Sequence, residues 1–130
     1  MMFSAPSAAS LINQLDFAKS KDGLLPVITV DVDNKQILMQ AWMNKQALHE
    51  TLTTGQVCYY SRSKRALWRK GESSGHVQYL KSFYTDCDND SIIMEVEQVG
   101  AACHTMRHHC FFKHAQQDGT FKIIIDPIED

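Results

Sequence analysis

The chain has no apolar run close to the roughly 20 residues needed to cross a bilayer, which argues against a helical membrane span. It also lacks an excess of either charge: 13 Lys and Arg against 15 Asp and Glu leave a net charge of −2. Without a basic excess there is no electrostatic footprint for nucleic acid. Internal repeats, low-complexity tracts and linker-like stretches are missing, so one domain over residues 1–130 is expected. The first ten residues show no basic segment followed by an apolar block, and a secretory signal is therefore not expected. The four cysteines then read as metal ligands or free thiols of a reducing cytoplasm rather than as disulfides. Absent too is the C-x2-C pair typical of structural zinc sites.

What is present has the patterning of an α+β domain. Leu11, Ile12, Leu15 and Ala18 share one face of a helix predicted over Ser10 to Ala18, within an N-terminal helical segment of residues 1–20. Val27 to Val32 is a β-branched strand, Asp33-Asn34-Lys35 a turn, and Ile37 to Met43 its hairpin partner. Asn44 suits the N-cap of a second helix through Leu48 and Leu52, and Gly55 suits its stop. Further strands are predicted at Val57 to Tyr60, His76 to Thr85 and Ser91 to Val99. Asp118-Gly119 marks a closing hairpin between Phe111-Phe112 and Phe121 to Ile125. The expectation is mostly antiparallel strands with two helices.

The chemistry concentrates around three cysteines. Cys87 and Cys103 are separated by 15 residues, and Cys103 and Cys110 by six. Three thiolates would leave one tetrahedral position of zinc open to water, the arrangement of a catalytic site and of one class of base deaminases. Structural zinc and inert buried thiols remain alternatives at this point. Cys58, inside an apolar strand, reads as core packing.

Carboxylates interleave with the thiols. Asp86, Asp88, Asp90 and Glu97 fit four positions of a calcium loop, but Ser91 stands where that loop needs glycine, and the flanks read as strands. An extended Asp86 to Asp90 would put three carboxylates on one face, for a hard cation such as magnesium, and Cys87 on the other. A solvated acidic turn is the plainer alternative. His104, beside Cys103, could move a proton to or from a metal-activated water. It could equally be a fourth ligand or sit behind the ligands; His108 and His109 are weaker candidates. The run Ser61 to Gly75 mixes Arg62, Ser63, Trp68, Lys70 and Ser74 with glycine, a composition suited either to an anionic small molecule or to a solvated basic face.

Taken in order, these elements resemble the phosphoribosyl-AMP cyclohydrolase family. The resemblance rests on Asp31-Val32-Asp33, Leu38 to Asn44, Thr51 to Gly55, Tyr60 to Ser63, Leu67 to Gln78, Asp86 to Asp90, Val96 to Gly100, Cys103-His104-Thr105 and Cys110-Phe111. It implies a homodimeric, cytoplasmic hydrolase of histidine biosynthesis that opens the adenine ring of 1-(5-phosphoribosyl)-AMP at N1–C6 with a zinc-activated water. It further implies zinc on Cys87, Cys103 and Cys110, one ion per subunit and shared across the dimer interface. Magnesium would lie on Asp86, Asp88 and Asp90, with proton transfer by His104. Arg62, Ser63, Trp68, Lys70 and Ser74 are the substrate-binding candidates. The competing class is a zinc-stabilised binding module. Two departures stand out. The family usually has glycine and serine where this chain has Met106 and His109, and arginine where it has Lys64. Methionine adopts positive φ less cheaply than glycine, and lysine lacks the bidentate fork of arginine.

Overall fold

The computed structural model describes residues 1–128. Its centre is a four-stranded sheet in the order β2-β1-β6-β5, from strands Ile37–Met43, Leu25–Asp31, Ile92–Gln98 and Gln78–Thr85. β1–β2 and β5–β6 are antiparallel, while β1 and β6 run parallel with Val27 opposite Ile92. Alternation sets the buried face: Leu25, Val27 and Thr29 of β1 and Ile92, Met94 and Val96 of β6 point inward. Two further hairpins pair β3 (Cys58–Ser61) with β4 (Ala66–Arg69), and β7 (Lys113–Ala115) with β8 (Phe121–Ile123). The architecture is α+β, as expected. Among the described residues no helix is long and apolar enough to cross a membrane.

Helix α2, Lys45–Thr54, begins and ends as its sequence dictates. The Asn44 side chain accepts from the Ala47 amide at 2.8 Å, and Gly55 closes the helix at φ 79°. Ala47, Leu48, Thr51 and Leu52 form its buried face. The first helix departs from expectation. α1 spans Ala5–Asn13, because Ser4 caps it and Pro6 favours its first turn. The chain then leaves helical geometry, and Phe17–Lys19 forms a short 3-10 turn in place of a continuation to Ala18.

Three further expectations are corrected. Asp86 to Asp90 is not extended: it is the β5–β6 turn, with Asn89 at φ 60° and the Asp86 carboxylate accepting from the Asp90 and Ser91 amides. The run Ser61 to Gly75 contains a strand, β4, whose Tyr60–Leu67 and Tyr59–Trp68 pairs make it half of a hairpin. The C-terminal hairpin is shorter than expected, starting at Lys113 rather than Phe111.

Candidate active site

The thiol-bearing loop is built from its backbone outward. It leaves β6 through Gly100, at φ 67°, where a Cβ would stand 2.6 Å from the His76 ring. The Ala102 and Cys103 amides donate to the carbonyls of His108 and Arg107, both at 3.1 Å, and Met106 donates back to Cys103 at 3.0 Å. This folds residues 102–108 on themselves. The Cys110 amide donates to Leu38 of β2 at 2.7 Å, and the Lys70 ammonium, at the end of β4, donates to the Ala102 carbonyl at 2.5 Å.

The result brings Cys103 and Cys110 together. Burial and the nearby Cys103 push the Cys110 thiol up to about 11. Burial pushes Cys103 up as well, but hydrogen bonds from Thr105 and Cys110 and the Lys70 charge outweigh it and leave that thiol below its ordinary value. The Thr105 hydroxyl lies 3.1 Å from the Cys103 sulfur. Burial also lowers Lys70, against the pull of the two thiols. Two adjacent sulfurs are soft donors of the kind that suit a soft cation.

A cleft of about 430 Å³ opens onto these sulfurs, lined among others by Trp68, Lys70, Ser74, His76, His104 and Met106. His104 is exposed and also borders a second hollow with Cys103, Cys110, Phe111 and Lys113. Trp68 packs at a tilt against Tyr59 with ring centres 5.4 Å apart, has the Lys70 ammonium 5.3 Å from its ring centre, and remains 41% exposed. Ser74 holds the turn by accepting from the His76 amide at 3.1 Å.

The remaining sequence candidates gather elsewhere. Asp86, Asp88 and Asp90 place one carboxylate oxygen each within 4.8 Å of the others. Lys19 is hydrogen-bonded to Asp90 and lies 3.4 Å from Asp88, whose carboxyl it holds below the usual range. Arg62 pairs with Asp22 at 3.1 Å, stacks 3.8 Å over Trp42, and shares a separate cleft of about 400 Å³ with Lys19 and Asp90. Ser63 lies 3.3 Å from the Ser61 hydroxyl on the same hairpin turn. Cys87, exposed in the acidic turn, is at the start of β6, whereas Cys103 follows its end. The seven residues of β6 span about 20 Å, and the three sulfurs do not converge into one group among the described residues. Within one copy, then, the candidates form two groups. Cys58 is buried core with its thiol pushed up to about 12 by burial, as its strand position implied. The sequence reading missed Lys19, whose acidic partners are 69 and 71 residues away and left no local signal.

The chain is similar to cyclohydrolases. The sequence model of phosphoribosyl-AMP cyclohydrolase matches residues 39–112. A phosphoribosyl-AMP cyclohydrolase of Magnetococcus marinus is 52% identical over 108 residues, covering 83% of each chain. That of Halorhodospira halophila is 50% identical over 119 residues, 92% of this chain and 81% of the relative. That of Alkalilimnicola ehrlichii is 57% identical over 97 residues, 75% of this chain and 68% of the relative. The chain belongs to the phosphoribosyl-AMP cyclohydrolase family.

Proposed function

We propose that this chain is the hydrolase of histidine biosynthesis that opens the adenine ring of 1-(5-phosphoribosyl)-AMP at the N1–C6 bond. Family membership supports the reaction class. One observation carries the site: Cys103 and Cys110 meet beside exposed His104 at the mouth of a cleft walled by Trp68, Lys70 and Ser74. The donor chemistry of each group fits a different ion, with thiols for zinc and converging carboxylates for magnesium. Cys87, Cys103 and Cys110 would hold the zinc, and Asp86, Asp88 and Asp90 the magnesium. Zinc, when bound, supplies Lewis acidity that brings the pKa of a water from near 16 towards 7.

Within one copy Cys87 does not join Cys103 and Cys110 in a converging set, and the strand β6 lies between them in the chain. A homodimer in which the acidic turn of each copy meets the thiol loop of the other completes two such sets. The same pairing carries Arg62 and Ser63 towards the cleft of the other copy. The ligand then has anion-binding groups on two sides: Lys70 and Ser74 from one chain, Arg62 and Ser63 from the other. Trp68, partly exposed at the cleft, would pack against the base. His104 takes the proton from the attacking water as it adds to C6, and returns it to N1 as the N1–C6 bond breaks.

Purified protein incubated with phosphoribosyl-AMP should yield the ring-opened product; no product from zinc- and magnesium-loaded protein rejects the reading. His104→Ala should keep zinc and lower turnover about 10²- to 10⁴-fold. An unchanged pH–rate profile in that variant removes His104 from proton transfer.

A further inference from the structure

The segment after β8 turns back over the thiol loop. The Ile124 amide donates to Phe112 at 2.9 Å, the Arg107 Nε to the Ile125 carbonyl at 2.9 Å, and the Ile128 amide to the Met106 carbonyl at 2.6 Å. The Arg107 guanidinium also lies 4.2 Å over the ring of buried Phe112. Residue 106, the point the segment grips, holds φ 67°, a left-handed conformation that a methionine avoids. All of residues 113–128 fall beyond the stretch matched by the family's sequence model.

We propose that residues 124–128 are a clasp that keeps the thiol loop in a conformation its own sequence disfavours, with Arg107 and Ile128 as positioning residues. Backbone strain at a site persists only when its surroundings over-determine it, and here the over-determination is visible. The Met106 amide is tied to Cys103 and its carbonyl to Ile128, while the next residue is tied by its side chain to Ile125. The geometry matters because the Arg107 carbonyl accepts from the Cys103 amide. Should Met106 relax to negative φ, its peptide turns, that bond is lost, and Cys103 no longer faces Cys110. Glycine at 106 would need no clasp, since it adopts positive φ without penalty. The clasp thus makes a methionine tolerable at this turn. Its consequence for metal affinity rests on the reading of Cys103 and Cys110 as zinc ligands; its consequence for the loop does not.

The test uses the full chain. Ile128→Pro removes one donor of the clasp and Arg107→Met the other, and each is then combined with Met106→Gly. The readout is the alkylation rate of Cys103 in EDTA-treated protein, resolved by mass spectrometry, with buried Cys58 as the internal report on global folding. Each clasp variant should label Cys103 about tenfold faster with Cys58 unchanged, and Met106→Gly should return Cys103 to the slow rate. Zinc affinity, measured against a chromophoric chelator, should fall and recover by similar factors. Unchanged Cys103 labelling in both variants overturns the clasp. So does failure of Met106→Gly to slow it, or parallel acceleration of Cys58 in both variants. If the intact chain binds no zinc while the labelling follows this pattern, the zinc reading fails and the clasp stands.

Discussion

The Tyr59 hydroxyl donates to the Gln78 side-chain oxygen at 2.6 Å in the middle of the core, while the Thr29 hydroxyl lies 2.6 Å from it on the other side. Gln78 passes the chain on, donating to the Gln98 side-chain oxygen at 2.7 Å and towards the Met39 sulfur at 3.4 Å. Five strands (β1, β2, β3, β5 and β6) are therefore joined by one polar thread, and no buried side-chain oxygen or nitrogen among the described residues lacks a partner. Satisfied networks of this kind are costly to interrupt. Tyr59→Phe leaves both Thr29 and Gln78 short of a partner and should lower stability by about 1–3 kcal/mol. Urea unfolding monitored by circular dichroism measures this; a loss below a few tenths of a kcal/mol would mean that the thread contributes little.

The turn that brings Ser74 to the cleft depends on one glycine far more than on its neighbour. Gly71, at φ 80°, would place a Cβ 2.4 Å from the Val77 backbone nitrogen, and backbone cannot move aside cheaply. Gly75 has the same φ but open space within 4 Å. Gly75→Ala should thus cost only the left-handed penalty, about 1–2 kcal/mol, whereas Gly71→Ala should cost about 3 kcal/mol or more and distort the cleft. Comparing the two melting curves isolates the clash. Equal losses would show that the 71–77 turn relaxes around the added methyl group.

How much of this could be read from the chain depends on whether the signal is local. Asn44 and Gly55 bound α2 through bonds within a few residues of themselves, so their sequence sufficed. Ser4 and Pro6 give the same kind of local signal for α1, whereas the apolar spacing of Leu11, Ile12, Leu15 and Ala18 points to a helix several residues later within the 1–20 segment. Of the two readings of Asp86 to Asp90 the turn holds: Asn89's left-handed φ goes with the amides that Asp86 accepts, a choice that three aspartates alone do not announce. Spacing marks Cys87, Cys103 and Cys110 as one set of three and does not announce that Cys103 and Cys110 meet within one copy. That Cys87 stands at the other end of β6 became visible only once β5 and β6 were paired around their turn. The penalty of methionine at 106 was legible; the clasp was not, because Ile125 and Ile128 act through backbone atoms that every residue has.

Stability should respond to acid through Glu50. Arg69 grips its carboxylate with two bonds of 2.8 Å, which hold it below its ordinary value of 4.5 despite some burial. A carboxyl lowered in the folded state contributes stability above its unfolded pKa and loses it as pH falls through the folded value. The Arg69 side chain is half exposed, so the pair is worth only about 0.5 kcal/mol. Arg69→Met should therefore lower stability by that amount at pH 7 in dilute buffer, and by progressively less in acid as the pH falls below 4.5. Urea titrations at pH 7 and in acid test it, and a difference undiminished in acid would assign the effect to packing of the arginine stem instead.

The two-ended placement of the thiols leads to a test of subunit sharing. If each site takes Cys87 from one copy and Cys103 with Cys110 from the other, then Cys87→Ser and Cys103→Ser chains are each inactive alone. In a mixed dimer, one site joins both substitutions and the other joins two intact contributions. Unfolding the two variants together and refolding them in equal amounts gives mixed dimers in about half the population, by the symmetry of an isologous pair. Activity should then return to about a quarter of the unsubstituted protein's, with zinc bound in the same proportion. A site completed within one chain restores nothing on mixing. Recovery also requires that the substitutions leave the fold intact, which the exposure of Cys87 and the loop position of Cys103 favour, and circular dichroism of each variant checks it directly.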